Sequence, residues 1–135
     1  MAAIVVDAAD LDVVARAVMF GPRGLRLDVV NMFRVANGKA EEEYLVNNLQ
    51  PHQEAVDVAL DNAMTGASAG DVSADTADFE VLFTAALFGP RENRINIVNV
   101  AREALGLDAI DYLVNAAQPH QGLVDTALAN IEALL

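Results

Sequence analysis

The sequence predicts an all-α protein made of two tandem four-helix repeats, about eight short helices, packed as one pseudo-two-fold helical domain. Three observations predict this fold class. Residues 7–64 align with residues 75–132 without a gap at an offset of 68, and 28 of the 58 aligned pairs are identical. Apolar residues recur at helical spacing in each copy. Gly and Pro interrupt that spacing at the same places in both copies, as they do where helices end.

Four helices are predicted in each copy from capping residues and helix breakers. An Asp suited to N-capping begins the first helix, a Gly-Pro pair ends it, and a Gly ends the second. A Pro stands at the first turn of the fourth. In the first copy the predicted helices cover about 10–20, 25–37, 40–50 and 51–64. Their counterparts cover about 78–88, 93–105, 108–118 and 119–133.

The predicted organisation is a first helical repeat over residues 1–64, a linker over 65–74 and a second helical repeat over 75–135. The linker reads TGASAGDVSA, which has the small residues of a connecting segment. A unit of about 60 residues buries too little surface to be stable alone, so the copies are expected to share one core. Any sheet larger than a short N-terminal strand at residues 3–6 would contradict the all-α prediction.

Composition excludes several classes of protein. Twenty acidic and eight basic side chains give a net charge of −12, yet 54% of the residues are apolar and the mean hydropathy is +0.30. This apolar content excludes disorder for most of the chain. The acidic excess argues against direct nucleic-acid binding, which needs a basic face, and allows a basic protein partner. The first apolar run stops at Asp7, too early for a signal peptide or a membrane span. We therefore expect a cytoplasmic protein that does not bind membranes.

The duplication shows which polar residues resisted change. Six of the seven Arg, both His and both Tyr lie in matched pairs, whereas no Glu is matched to a Glu. Helical spacing places the matched polar residues on shared helix faces. The candidate partner-binding or anion-binding residues are Arg23, Arg26, Asn31, Arg34, His52 and Gln53 in the first copy, and Arg91, Arg94, Asn99, Arg102, His120 and Gln121 in the second.

These residues allow three interpretations. In the favoured one they form a structural network, in which Arg34 pairs with Asp57 and His52 or Gln50 caps the break at the Pro, because buried polar groups need partners. In the second they form a pocket for an anion or a carboxylate, which Arg side chains and helix N-termini both favour. In the third they make a contact between the copies or between chains.

Patterns typical of catalysis are lacking. Each copy has one His and no Cys, so no metal-ligand spacing occurs. Ser68 and Ser73, the only serines, both lie in the predicted linker and are not duplicated. The favoured function is therefore a non-catalytic interaction or adaptor protein, without cofactor or metal, whose two pseudo-equivalent faces bind a protein partner or a second copy of the chain. The alternatives are an acidic nucleic-acid mimic that inhibits a DNA-binding protein, and a small anion or carboxylate binder that uses the paired Arg clusters.

Overall fold

The structure, a computed structural model, describes residues 3–20, 23–43, 51–88, 91–111 and 119–135. This part of the chain is mostly helical. Its helices are α1 (Ala8–Phe20), α2 (Arg23–Ala36), α3 (Gln53–Thr65), α4 (Thr76–Phe88), α5 (Arg91–Ala104) and α6 (Gln121–Glu132). Three strands, β1 (Ala3–Asp7), β2 (Ala67–Ser68) and β3 (Asp71–Asp75), form one sheet in the order β1-β3-β2.

The helical content broadly fits the all-α prediction, but the three-stranded sheet was not predicted. Of its strands, β2 lies within the predicted linker, residues 65–74, and β3 begins there. β1 and β3 both place every second residue in the interior, as strands with one buried face do. Val6 and Val72 are paired across the two strands, and both are buried. The alternation in β3 escapes sequence analysis because its buried residues stand among Gly, Ser and Asp, which are typical of turns.

Two glycines shape the turn that carries the chain from α3 into β3. Gly66 directly follows α3, and its carbonyl accepts a hydrogen bond from the Ser73 N–H at 3.0 Å. Gly70 lies between β2 and β3 with φ of +85°, a left-handed conformation that favours glycine. Its N–H donates to the Ala104 carbonyl at 2.7 Å, and its carbonyl accepts from the Ala8 N–H at 2.8 Å. The turn is thus bonded to the end of α5 and the start of α1.

The bounds of the elements in the two halves correspond. β1, α1 and α2 begin and end 68 residues before β3, α4 and α5, and α3 begins 68 residues before α6. β1 pairs antiparallel with β3, and Val5 stands opposite Ser73, which is its own counterpart at that offset. The register of the strand pairing is therefore unchanged when each residue is replaced by its counterpart in the other half.

The two halves also pack against each other through their helices. α1 packs on α5 and α6, while α4 packs on α2 and α3. Asn62 at the end of α3 donates to Asp78 at 3.2 Å, and Asn130 at the end of α6 donates to Asp10 at 3.2 Å. One cluster of buried apolar residues extends from Ile4 to positions near the end of α6. Residues of both halves therefore contribute to one core.

Stacked phenylalanines join the halves at the centre of this core. The Phe33 ring of α2 lies 5.8 Å from the Phe79 ring and 5.2 Å from the Phe83 ring, both of α4, and all three side chains are fully buried. Their counterparts at the offset of 68 are Ala101, Leu11 and Ala15, which are also buried. The two halves therefore fill corresponding places in the core with side chains of different size.

The first helix of each half begins two residues before the Asp that was predicted to cap it. Asp7, rather than Asp10, caps α1 by accepting a hydrogen bond from the Ala9 N–H at 2.9 Å. At the start of α4, Asp78 accepts from the Asp75 N–H at 3.3 Å, which is the reverse arm of a capping box. Asp7 thus caps α1 from a position three residues before the predicted one, whereas Asp78 acts from within the first turn of α4.

The third predicted helix of each copy does not begin near residue 40 or 108, because residues 39–42 and 107–110 are irregular. Gly38 and Gly106 have φ of +80° and +78°, which confirms that these glycines end α2 and α5. Several predictions lie outside the described residues: the rest of both third helices, where the matched Tyr44 and Tyr112 stand, and the Gly-Pro pairs at 21–22 and 89–90. The same holds for the side chain of Arg23.

Candidate functional site

Asn31 of α2 and Asn99 of α5 each hold the irregular segment that follows their helix. The Asn31 side chain donates to the Glu42 carbonyl and accepts from the Glu42 N–H, both at 2.8 Å. Asn99 makes the same two bonds with Ile110, at 3.0 and 2.9 Å. Because a side-chain amide can donate and accept at once, each Asn satisfies both backbone groups of one residue. These bonds replace the helical turn that was predicted there.

Arg34 and Arg102 hold the same two segments closer to the helix. Arg34 Nε donates to the Ala40 carbonyl at 2.9 Å, and Arg102 Nε donates to the Asp108 carbonyl at 2.7 Å. A guanidinium bonded to a carbonyl makes a charge-assisted bond, which is stronger than a bond between neutral groups. Each half therefore has a clamp of one Arg and one Asn on its irregular segment.

Arg34 also pairs with carboxylates, although not with the one predicted. Its Nη2 lies 3.2 Å from Glu42, and its Nη1 lies 3.9 Å from Glu80 on α4, while its side chain is only 16% exposed. The predicted partner, Asp57, instead accepts a hydrogen bond from Gln53 at 2.8 Å. The prediction of an Arg34–Asp57 pair is wrong because the irregular segment after α2 brings a nearer carboxylate back to the arginine.

Burial raises the pKa of two carboxylates on α1. For Asp12 burial is the main cause, and it is opposed by Arg16, whose Nε is 3.0 Å away, and by Arg102. Burial likewise raises the pKa of Asp10, and the hydrogen bond from Asn130 opposes it. An acid with a raised folded pKa binds its proton more tightly in the folded state. Both groups therefore favour folding more as the pH falls through their folded pKa values.

Gln53 and Gln121 begin α3 and α6, and each donates to the Asp one turn later. The bonds to Asp57 and Asp125 are both 2.8 Å long. Gln53 also exchanges two hydrogen bonds with Asn93 of α5, at 3.1 and 3.0 Å. Asn93 is buried, and this exchange satisfies its amide. Both Gln side chains therefore bond within the first turn of their helix, and Gln53 also joins α3 to α5.

His52 and His120 stand at the N-cap positions of α3 and α6, and both are exposed. Neither imidazole makes a capping hydrogen bond, so the prediction that His52 caps this helix is wrong. Only a side-chain acceptor that folds back over the first turn can cap a helix in this way. Gln50, the other predicted cap, lies outside the described residues.

The remaining arginines of the predicted set lie at the starts of α2 and α5. Arg26 is half-buried, and its Nη2 donates to the Met19 carbonyl at 3.4 Å. Its counterpart Arg94 is also half-buried, and Arg94 Nε is a buried side-chain nitrogen with no hydrogen-bond partner in the described structure. Arg91, the first residue of α5, is exposed. The predicted set therefore divides into clamp residues, residues at the starts of α3 and α6, and these arginines.

Two surface grooves lie at corresponding places in the two halves, and sequence analysis missed both. Groove A lies between α2 and α6 and has a volume of about 740 Å³. Groove B lies between α5 and α3 and has a volume of about 550 Å³. The two pairs of helices are counterparts, so the same groove occurs twice. Lining residues include Asp28, Met32, Val35, Glu41, Leu128 and Glu132 in groove A, and Asp57, Leu60, Asp61, Met64, Val100 and Glu103 in groove B.

Each groove combines apolar walls with carboxylates. Val35 in groove A and Met64 in groove B are both 54% exposed. Three carboxylates line each groove, and the described lining residues include no Lys or Arg. The carboxylates occupy different positions in the two halves, since the counterpart of Glu132 is Met64 and that of Glu103 is Val35. Both grooves are acidic, although their acidic residues do not align.

The clamps contribute to the walls of the grooves. Asn31 lines groove A and Asn99 lines groove B. Glu41, in the segment that Asn31 and Arg34 hold, also lines groove A. The retained pair Asn31 and Asn99 therefore contributes to surfaces whose carboxylates differ between the two halves.

The described ranges contain no group of three His, Cys, Asp or Glu side chains that could hold a metal ion. Within the same ranges, no helix has the length and apolar character needed to cross a membrane. No family model, curated protein or solved structure matches the chain.

Replacing the arginines with alanine should have graded effects on stability. Arg34→Ala removes a hydrogen bond and two carboxylate contacts, and it leaves Glu80, which is 12% exposed, with fewer partners. We expect a loss of about 2 to 3 kcal/mol. Arg102→Ala should cost about 1 to 2 kcal/mol, and Arg91→Ala, at an exposed position, less than about 0.5 kcal/mol. Urea denaturation of the three variants would test this order. Equal and small losses would show that the clamps do not support the fold.

Proposed function

We propose that the protein is a non-catalytic interaction protein and that grooves A and B are its two binding faces. The observation that carries the proposal is the occurrence of the same groove twice, at places related by the offset of 68. Each groove exposes apolar side chains beside carboxylates, and exposed apolar patches of this kind are typical of interaction sites. The proposal includes an approximate two-fold relation between the halves, with Val5 and Ser73 beside the axis.

The clamp residues support a protein partner over an anion. Asn31, Arg34, Asn99 and Arg102 all use side-chain nitrogens to bind groups of the chain itself. An anion that bound these same nitrogens would have to displace their bonds to the chain. The grooves, in contrast, have apolar surface that is open to solvent, and apolar surface in a concave site is what a protein partner can bury.

A small anion binder is the second candidate, and one observation favours it. Arg94 Nε is buried without a hydrogen-bond partner in the described part of the chain, and Arg91 is exposed one turn earlier on α5. Buried donors without partners are uncommon. A melting temperature that rises with sulfate but not with chloride at equal ionic strength, and that loses this response in Arg94→Lys, would favour this candidate over the grooves.

The acidic nucleic-acid mimic differs from the proposed function in what it requires of the surface. A mimic binds through its carboxylates, so its affinity should fall with salt and should not depend on single apolar side chains. A groove that docks a protein needs its carboxylates and its apolar side chains. Apolar substitutions in the grooves therefore separate the two functions.

Full-length protein immobilised in native lysate should capture its partner through the grooves. We expect Val35→Asn and Met64→Asn, alone or together, to reduce the captured partner at least tenfold, the effect of losing about 1.4 kcal/mol of binding. Leu123→Asn and Val58→Asn are matched controls, because these side chains are 55% and 58% exposed and line neither groove. Light scattering of each variant would show whether the captured partner is a second copy of the chain. Equal losses in grooves and controls would contradict the proposal.

A further inference from the structure

We infer that each groove accepts one basic amphipathic helix of a partner protein, so that one chain holds two such helices. This inference rests on the proposed function, because it names the chemistry of the partner that grooves A and B would bind. It follows from three features of the grooves: the length of their walls, the state of the backbone that forms them, and the sign of their charge.

The walls have the length of a short helix. Groove A is lined from Asp28 to Ala36 along α2, which is roughly 12 Å at 1.5 Å per residue. Groove B is lined from Asn96 to Glu103 along α5, roughly 10 Å. Each therefore spans about two helical turns, the distance over which a docked helix presents apolar residues at i, i+3 or i+4, and i+7.

The walls favour a helix over an extended segment. The two long walls of each groove are helices, whose backbone groups are bonded within the helix and offer nothing to a strand, and only Glu41 and Leu135 of groove A lie outside a helix among the described lining residues. An extended segment laid against them would leave its own N–H and C=O groups without protein partners. A helix satisfies its own backbone and can bury an apolar stripe against Met32, Val35 and Leu128 in groove A, or against Leu60, Met64 and Val100 in groove B.

The charge of the grooves indicates that the helix is basic. Asp57 and Asp61 in groove B are four residues apart on α3 and share one face. Lys or Arg residues four apart on the docked helix could pair with both carboxylates. Groove A has carboxylates on both walls, from Asp28 on α2 to Glu132 on α6. Since the two grooves carry their acidic residues at different positions, their common property is the negative charge itself.

A second copy of the chain is disfavoured as the occupant. Two chains that each carry a net charge of −12 repel one another. The cations that the structure describes are also mostly engaged within the chain: Arg16 pairs with Asp12, Arg34 with Glu42, and Lys39 with Glu80 at 2.9 Å. A helix rich in unpaired Lys or Arg must come from a different protein.

Calorimetric titration of the full-length protein with a designed peptide tests the inference. The probe is a helical peptide of about 16 residues, roughly four turns, with a Leu stripe at i, i+3 or i+4 and i+7 and with Lys on both flanks. We expect two peptides to bind per chain. A peptide with Glu in place of each Lys, and a scrambled peptide of the same composition without the stripe, should each bind at least tenfold more weakly.

Variants assign the two bound peptides to the two grooves. Val35→Asn should remove one binding site and Met64→Asn the other, whereas Leu123→Asn should retain both. The double variant Asp28→Asn/Glu132→Gln should weaken the binding at groove A at least tenfold. Asp71→Asn/Glu92→Gln, which changes the net charge equally at exposed positions that line neither groove, should leave it unchanged. Thermal melts of each variant confirm that it is folded.

Equal binding of the ordered and the scrambled Lys peptides would overturn the inference. It would show that the protein binds the peptide through its net charge and not through the Leu stripe. Undetectable binding, or stoichiometry unaffected by the groove variants, would also overturn it. These failures differ from a failure of the proposed function. If the groove variants still abolish capture of a lysate partner, the grooves bind a protein of different chemistry. If they do not, both proposals are wrong.

Discussion

Replacing Gly66 with alanine is expected to lower the free energy of unfolding by about 3 kcal/mol or more. A Cβ atom on Gly66 would overlap the Ser73 carbonyl oxygen, and it would lie 2.8 Å from the Ser73 carbonyl carbon and 3.3 Å from the Asn62 carbonyl oxygen. These are backbone atoms of β3 and α3, so they cannot turn aside as a flexible side chain can. Gly66 has φ of −83°, which any residue adopts. The requirement for glycine is therefore steric.

Gly122→Ala is the matched control for this prediction. Gly122 lies in α6, and a Cβ atom there would have no neighbour within 4 Å. Because alanine is favoured over glycine in helices, the stability of this variant should be unchanged or raised by up to about 1 kcal/mol. Urea denaturation of both variants measures the difference. A Gly66→Ala variant as stable as wild type would show that residues 65–74 behave as a flexible connection, and not as a packed turn and two strands.

The ends of α2 and α5 were predictable from the sequence because helix breakers act locally. Gly38 and Gly106 end their helices through a left-handed conformation that depends on one residue alone. The strand β3 was not predictable in the same way. Its buried positions, Val72 and Ala74, are too few to show a period of two among turn-forming residues, and β1, its partner, lies almost 70 positions away in the chain. The sheet depends on a contact between the halves that no local pattern contains.

The clamps were predictable in part. The matched pairs Asn31/Asn99 and Arg34/Arg102 are the residues that hold the irregular segments. The groups that these side chains bind were not predictable, because most of them are backbone carbonyls, which every residue has. The carboxylates were missed for a different reason. Glu80 faces Arg34, and its counterpart Asp12 interacts with Arg102. A search for identical pairs discards a Glu matched to an Asp, although either can face an arginine.

The grooves could not be predicted from residues that are identical in the two copies. Val35 corresponds to Glu103, and Met64 to Glu132, so each pair joins an apolar residue to a carboxylate and neither counts as retained. Each groove still combines apolar residues with carboxylates, because the two exchanges run in opposite directions. Groove A has the apolar residue Val35 and the carboxylate Glu132, and groove B has the carboxylate Glu103 and the apolar residue Met64 at the corresponding positions. A surface that needs only apolar area and negative charge can change its individual residues, whereas a clamp that needs an amide or a guanidinium at one point cannot.

Phe33→Ala is expected to destabilise the protein by about 3 to 5 kcal/mol, because it opens a cavity beside the buried rings of Phe79 and Phe83. Phe33 is fully buried, and its ring stacks on Phe79 and Phe83 of the opposite half. The counterpart Ala101 is also buried, but the counterparts of Phe79 and Phe83 are the smaller Leu11 and Ala15, so Ala101 does not show that alanine would fill the place of Phe33.

Val35→Ala is the control for this variant, since Val35 lies two residues further along α2 and is 54% exposed, and its loss should cost no more than about 0.5 kcal/mol. Thermal denaturation followed by circular dichroism would measure both variants. Because Phe33 belongs to one half and its stacking partners to the other, Phe33→Ala should lower the midpoint of one cooperative transition. If the variant instead melts in two separate steps, with one step at the wild-type temperature, then each half holds its own core and the stacked rings are only a contact between two independent units.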